Sequence, residues 1–219
     1  MSVTKIDPNK TFVIFLYGFP GAGKTAFGRQ LAEEVNCAHL QQDKLSHELY
    51  GENTDRTAKN SRDAMNYMSR EFLRAGVSVI YDTDVHRVGE RRKLRDFIRQ
   101  AKATPILIWL QIDPETAFLR GQKRDRRKAD DQYAQKYTPE SYEAILNNMQ
   151  NPDNEEYVVI SGKHTFHTQR AAVLKKFYEL GIMTPVQLSQ NIAKPGLVNL
   201  VPQSLNGRTD LSRRNITIR

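Results

Sequence analysis

Residues 18–25, Gly-Phe-Pro-Gly-Ala-Gly-Lys-Thr, satisfy the phosphate-binding pattern G-x-x-x-x-G-K-[ST] without a gap. Gly18, Gly21 and Gly23 let backbone N–H groups wrap an anion where a Cβ would intrude, with Pro20 and Ala22 completing the turn. A helix opening at Lys24 would aim the positive end of its dipole at the same point. Lys24 would reach the β- and γ-phosphates of a nucleoside triphosphate, and the Thr25 hydroxyl would ligate Mg²⁺. ATP with Mg²⁺ is therefore the expected cofactor pair.

Two carboxylates and two arginines extend this chemistry. Asp43 lies at the end of the second expected strand, about 38–42, so it would sit where an α/β sheet presents side chains to a ligand crevice. A carboxylate there can orient an attacking hydroxyl or take its proton; capping of the next helix is the alternative role. Asp82 ends the run Val77–Tyr81, a position from which a carboxylate holds Mg²⁺ or positions an acceptor, with a turn through Thr83 as the plainer use. Arg120 and Arg124, four apart, would share a helix face within a basic lid over about 120–137. Guanidinium groups closing over the triphosphate would stabilise charge on the transferred group, although such a stretch also suits a solvated helix face.

The elements needed to hold these residues alternate along the chain. Strands are expected over 11–17, 38–42, 77–81, 105–112 and 157–160, and helices over 24–35, 43–50, 57–75, 88–102 and 167–180. Phe27, Leu31 and Val35 mark one helical face, and Met65, Met68 and Phe72 another. Asp113-Pro114 and Thr138-Pro139 each read as a cap followed by proline at the first helical position, and Gly76 as a helix stop. The alternation predicts a three-layer α/β fold with a mostly parallel sheet.

Composition narrows the class. At 219 residues, 39% hydrophobic and 26% charged, the chain suits one globular domain with appendages. No apolar run approaches a membrane span or a signal peptide, and the single cysteine, Cys37, forms no internal disulfide, so a cytoplasmic setting is expected. The net charge of +8 resides in two places: residues 120–136 carry seven Lys/Arg against three Asp, and residues 182–219 five against one. Prolines and glycines interrupt 185–219, which reads as an extended or disordered basic tail beyond a domain at 1–184. His164 and His167 lack the supporting ligands of a metal site.

Across residues 11–181 the chain resembles the small phosphate-binding-loop kinases that include polynucleotide 5′-hydroxyl kinases, zeta-toxin-like kinases, antibiotic phosphotransferases and AAA_33-type ATP-binding kinases. The resemblance rests on Gly18–Thr25, Gln41-Gln42-Asp43, Gly76–Asp84 and the lid arginines. It implies a nucleoside-kinase-like fold, with Lys24 and Thr25 as phosphate and Mg²⁺ ligands, Asp43 activating an acceptor hydroxyl, and Asp82-Thr83 supporting the site. The chain departs from that pattern at Ser46, where polynucleotide kinases often carry an arginine for a substrate phosphate, and at Asp84, commonly Asn or apolar.

The expected activity is transfer of a γ-phosphoryl group to a hydroxyl on a nucleotide, a nucleic-acid end, a sugar or another small molecule. The alternative is a non-catalytic ATP-binding switch whose basic tail engages RNA or a protein partner. Because the tail supplies no expected sheet element, truncation after Thr184 should leave folding and ATP binding intact. Loss of the cooperative thermal transition on truncation would contradict that boundary.

Overall fold

A computed structural model describes residues 5–52, 54–125, 127 and 131–184. The 185–219 tail, and Arg126 and Lys128–Asp130 of the lid, lie outside the described residues. Strand β1 (Phe12–Tyr17) reads Phe-Val-Ile-Phe-Leu-Tyr and is buried on both faces. A continuous apolar run of this kind belongs at the centre of a parallel sheet covered on both sides. There it pairs in parallel with β3 (Ser78–Asp82) on one side and β4 (Thr104–Gln111) on the other. Adding β2 (Cys37–Gln41) and β5 (Val158–Ser161) gives the fully parallel order β2-β3-β1-β4-β5.

Side-chain alternation along β1 divides the core in two. Phe12, Ile14 and Leu16 pack with Phe27 and Leu31 of α1 (Lys24–Glu34) and with Val173, Leu174 and Phe177 of α7 (Phe166–Glu179). Val13, Phe15 and Tyr17 face Met65 of α3 (Asp55–Arg74) and Leu94 and Ile98 of α4 (Val88–Gln100). The expected three-layer α/β fold is therefore the observed one.

Between these elements lie α2 (Gln42–Tyr50), α5 (Pro114–Gln122) and α6 (Pro139–Asn148). Caps fall where the sequence puts them: Asp113 accepts from Thr116 N at 2.8 Å, Thr138 from Ser141 N at 3.2 Å, and Gly76 has φ +76°. Thr54 starts α3 two residues earlier than expected through reciprocal bonds with Thr57, a capping device with threonine in place of the usual acid. Two expectations change. Asp43 is not a strand-end residue but the second residue of α2, because β2 stops at Gln41. Arg120 and Arg124 do not share a helix face, because α5 closes at Gln122 with Lys123 as its C-cap.

The α4 N-terminus is tied down by one buried arginine. Arg91, wholly buried, donates from Nε to Glu155, from Nη1 to the Val85 and His86 carbonyls at 3.0 and 3.1 Å, and from Nη2 to Gln150 O at 2.8 Å. Its guanidinium also lies over the Tyr17 ring, 4.7 Å from the centroid. Burial pushes the Glu155 carboxyl up, but Arg91 and Arg95 outweigh it and leave its pKa below the ordinary glutamate value. Because the folded pKa is depressed, the stabilisation is complete above the ordinary glutamate range, about pH 4–5, and is lost as pH falls below it. Glu155→Ala should cost about 3–5 kcal/mol in urea unfolding at neutral pH, since it strands a buried guanidinium. A loss below about 1 kcal/mol would show that the network contributes little.

Candidate functional site

The strand order sets where a ligand can sit. Successive strands lie on opposite sides of β1, and in open α/β sheets the crevice beyond the carboxyl ends at such a point receives the ligand. The phosphate-binding loop follows β1 at that point and feeds into α1, whose first residue is Lys24 and whose N-cap is Gly23. Gly21 shows why the loop needs glycine: φ is +89°, and a Cβ there would lie 2.0 Å from the Ala117 carbonyl oxygen of α5. The Tyr142 hydroxyl of α6 donates to Pro114 O at 3.1 Å and reaches Pro20 O at 3.4 Å, bracing the loop from outside.

A cavity of about 400 Å³ opens over this loop. Pro20, Gly21, Gly23, Lys24 and Thr25 form its floor; Gln41, Gln42 and Asp43 enter from the β2–α2 junction, and Asp82, Thr83 and Asp84 from the end of β3. Arg120, Lys123, Arg124 and Tyr137 close the remaining side. Gly18 and Ala22 belong to the same loop without lining the cavity; Gly18, with φ +149°, would bring a Cβ within 2.6 Å of Leu110 O. Residues far apart in sequence thus share one volume, brought there by segments that follow the four neighbouring parallel strands β2, β3, β1 and β4.

Lys24 is folded into the loop it belongs to. Its ammonium donates to Gly18 O at 2.8 Å and Phe19 O at 3.3 Å and pairs with Asp84 at 3.2 Å. Desolvation works against ionisation of Asp84, but Lys24 and His86 outweigh it, and the carboxyl is held far below its ordinary range. Asp82 is 6% exposed and faces His39 Nε2 of β2 at 3.2 Å, which fixes its carboxylate against the neighbouring strand. Thr83 Oγ1 donates to the Gln42 side-chain carbonyl, and the Gln42 amide donates to Ala58 O of α3 at 3.1 Å. Through that buried relay the residue before Asp43 is locked to the residue after Asp82.

Described residues of the basic stretch that begins at Arg120, in the last turn of α5, border the site. Arg120 Nη1 donates to Gly162 O at 2.8 Å, and Arg124 Nη1 to Gln135 O at 3.2 Å. The Tyr133 hydroxyl donates to Glu48 of α2 at 2.9 Å, and its ring lies 5.2 Å from that of His47. Burial pushes the Tyr137 phenol up, and the Asp84 and Asp43 carboxylates push it further, against Arg124. Tyr137 therefore lies within the field of both carboxylates.

The resemblance takes in Gln42 without giving it a role, and no pattern in the sequence singles out Tyr137 or Tyr142; Thr83 is 41 residues from Gln42 and Pro20 is 122 from Tyr142, so these contacts become visible only with the fold. Cys37, at the start of β2, takes no part. Burial pushes its thiol up to about 12, which suppresses the reactive thiolate. Among the described residues no cluster of three or more His, Cys, Asp or Glu could enclose a metal alone. A Mg²⁺ ion carried by a triphosphate would need only one or two protein oxygens, and the Thr25 hydroxyl and Asp82 carboxylate are cavity-lining groups that could provide them. Among the described residues, no helix is long and apolar enough to cross a membrane.

Comparison with known proteins fits this geometry. A gluconokinase from Sinorhizobium meliloti 1021 superposes with a TM-score of 0.58 at 16% identity, covering 78% of this chain and 93% of that one. A putative kinase from Chloroflexus aurantiacus J-10-fl gives 0.61 at 15% identity, covering 78% and 98%. Kti12 from Chaetomium thermophilum, solved in complex with ADP-AlF3, gives 0.57 at 17% identity, covering 78% and 100%. At these identities the likeness is one of fold. No curated protein sequence matches the chain. The AAA domain model AAA_33 matches residues 13–150, from the second residue of β1 to the loop after α6, and the chain belongs to that family of P-loop proteins.

Proposed function

We propose that the protein is an ATP- and Mg²⁺-dependent kinase that transfers the γ-phosphoryl group to a hydroxyl acceptor. The observation that carries this reading is the presence of Asp43 on the wall of the phosphate-loop cavity, contributed by an element separate from the loop. A nucleotide switch has no use for a carboxylate on that side. Phosphoryl transfer uses one to orient the acceptor hydroxyl and receive its proton.

In this reading Lys24 exchanges its contacts with Gly18 O, Phe19 O and Asp84 for β- and γ-phosphate oxygens. Thr25 and Asp82 would hold Mg²⁺, which would supply neutralisation of the triphosphate's charge. Asp43 turns the acceptor oxygen toward the γ-phosphorus; the new O–P bond forms as the bond to the β-bridging oxygen breaks, and the acceptor proton passes to Asp43. Arg120, Arg124 and Tyr137 cover the transferred group and exclude the water that would otherwise hydrolyse it. Asp82 is held by His39, and Asp43 is placed by the Gln42–Thr83 bond, so neither carboxylate needs to search for its position.

Incubation with labelled ATP, Mg²⁺ and pooled hydroxyl acceptors should yield a labelled acceptor product. Hydrolysis alone, or no turnover, would count against the reading. Mg²⁺·ATP should raise the melting temperature, since ligand at about 100 Kd adds about 2.7 kcal/mol to the folded state. Lys24→Ala should abolish most of that shift; an unchanged shift would remove the phosphate-loop assignment. Asp43→Asn should leave the ATP-induced shift intact while lowering acceptor turnover about 100-fold or more. If turnover barely changes while stability falls, Asp43 serves only the helix α2.

A further inference from the structure

Arg62 lies one turn beyond Ala58 on α3 and lines the same cavity as Asp43, Gln42 and Thr83. Its guanidinium is poorly engaged. The Nε atom is shielded from solvent and has no acceptor among the described residues. The Glu90 carboxylate lies 3.7 Å from Nη1, with the two side chains 41% and 39% exposed, an arrangement that contributes little. Arg91 provides the contrast, since its nitrogens reach three carbonyls and a carboxylate. At Arg91 the fold supplies acceptors around the whole guanidinium; at Arg62 it offers the distant Glu90 carboxylate and leaves Nε without one.

The sheet order also separates Arg62 from the lid cations. α3 packs against β3 and α2, on the β2–β3 side of the phosphate loop, which is the side that carries Asp43. Arg120 and Arg124 follow β4, on the other side of β1. Asp43, Asp82 and Asp84 all line the first side, where Asp84 is paired with Lys24 and Asp82 faces His39. Once Lys24 has turned to the triphosphate, an anionic acceptor beside Asp43 would need a further cation, and a neutral acceptor would not. α2 does not supply it at Ser46, which is wholly buried and donates to Glu52 O at 3.0 Å.

We propose that Arg62 binds an oxyanion on the acceptor, so that the substrate class is a hydroxyl compound carrying a phosphate ester or a carboxylate. The inference rests on the kinase reading and names its acceptor. On arrival of the substrate, Arg62 leaves Glu90 and presents its planar fork to two oxygens, holding the hydroxyl toward Asp43. This is binding through a remote group, so its loss falls on the acceptor KM more than on kcat.

Two measurements test it. In the first, labelled ATP is offered with matched acceptors: a nucleoside and its 3′-monophosphate, a short 5′-hydroxyl oligonucleotide, glucose and gluconate. Transfer should favour the charged member of a pair, with the phosphate and carboxylate arms identifying the oxyanion. Arg62→Ala should raise the KM of that acceptor about tenfold or more, Arg62→Lys should recover part of the loss, and the ATP KM should stay within about twofold. Equal use of charged and neutral members, or an unchanged KM in Arg62→Ala, would overturn the proposal while leaving the kinase reading in place.

The second measurement needs no turnover. Protein saturated with Mg²⁺ and a non-hydrolysable ATP analogue is titrated with inorganic phosphate, and separately with acetate, and the melting temperature is followed. A further rise with at least one of these anions is expected in the wild type and in the exposed-charge control Arg92→Ala, and its loss is expected in Arg62→Ala and Arg62→Gln. No rise in the wild type, or a rise that survives in both Arg62 variants, would overturn the proposal even if no acceptor is phosphorylated.

Discussion

The Lys24 ammonium is the charge around which the site is organised. Its side chain is 10% exposed, and a cation that deeply placed must be surrounded by acceptors. Gly18 O and Phe19 O supply two and Asp84 a third, so the loop closes on its own lysine. The same contacts draw the end of β3 toward the loop, because Asp84 lies two residues beyond the last residue of that strand. The resemblance leads one to expect Asn or an apolar side chain at Asp84, and its partnership with Lys24 gives that departure a physical role. Phosphate oxygens must compete with that carboxylate for the ammonium, which favours an anion of high charge. A triphosphate meets that condition.

Everything around Lys24 is held by bonds that cross the fold. His39 fixes Asp82 from the neighbouring strand, Gln42 joins Thr83 to α3, and Tyr142 braces the loop through Pro20 and Pro114. The Arg91–Glu155 network does the same for the loop between β3 and α4, tying Val85 and His86 to Gln150. Phosphoryl transfer requires little covalent chemistry from protein groups and depends on positioning, so a site built from such cross-links suits that demand.

Much of the scaffold is legible in the sequence because it is local. The phosphate loop, the doubly buried run of β1, the caps at Asp113 and Thr138 and the stop at Gly76 each depend on residues within a few positions of one another. The β2–α2 boundary is harder, since Gln42 and Asp43 suit either a strand end or a first helical turn; the buried Gln42–Thr83 bond accompanies the helical choice. The lid defeats a local reading for a related reason. Spacing alone puts Arg120 and Arg124 on one helical face, but α5 ends between them, and each finds its own carbonyl, Gly162 or Gln135. Arg62 is invisible in the sequence, one arginine among several on a polar helix, until α3 is seen to border the cavity.

The most direct test of a phosphoryl-transfer site is a crystal structure with Mg²⁺ and a non-hydrolysable ATP analogue. Lys24 Nζ should have left Asp84 and should lie about 3 Å from β- and γ-phosphate oxygens, with the γ-phosphate facing Asp43 across the space left for an acceptor. A complex in which Lys24 stays on Gly18 O and Asp84, or in which the γ-phosphate points away from Asp43, would contradict the account.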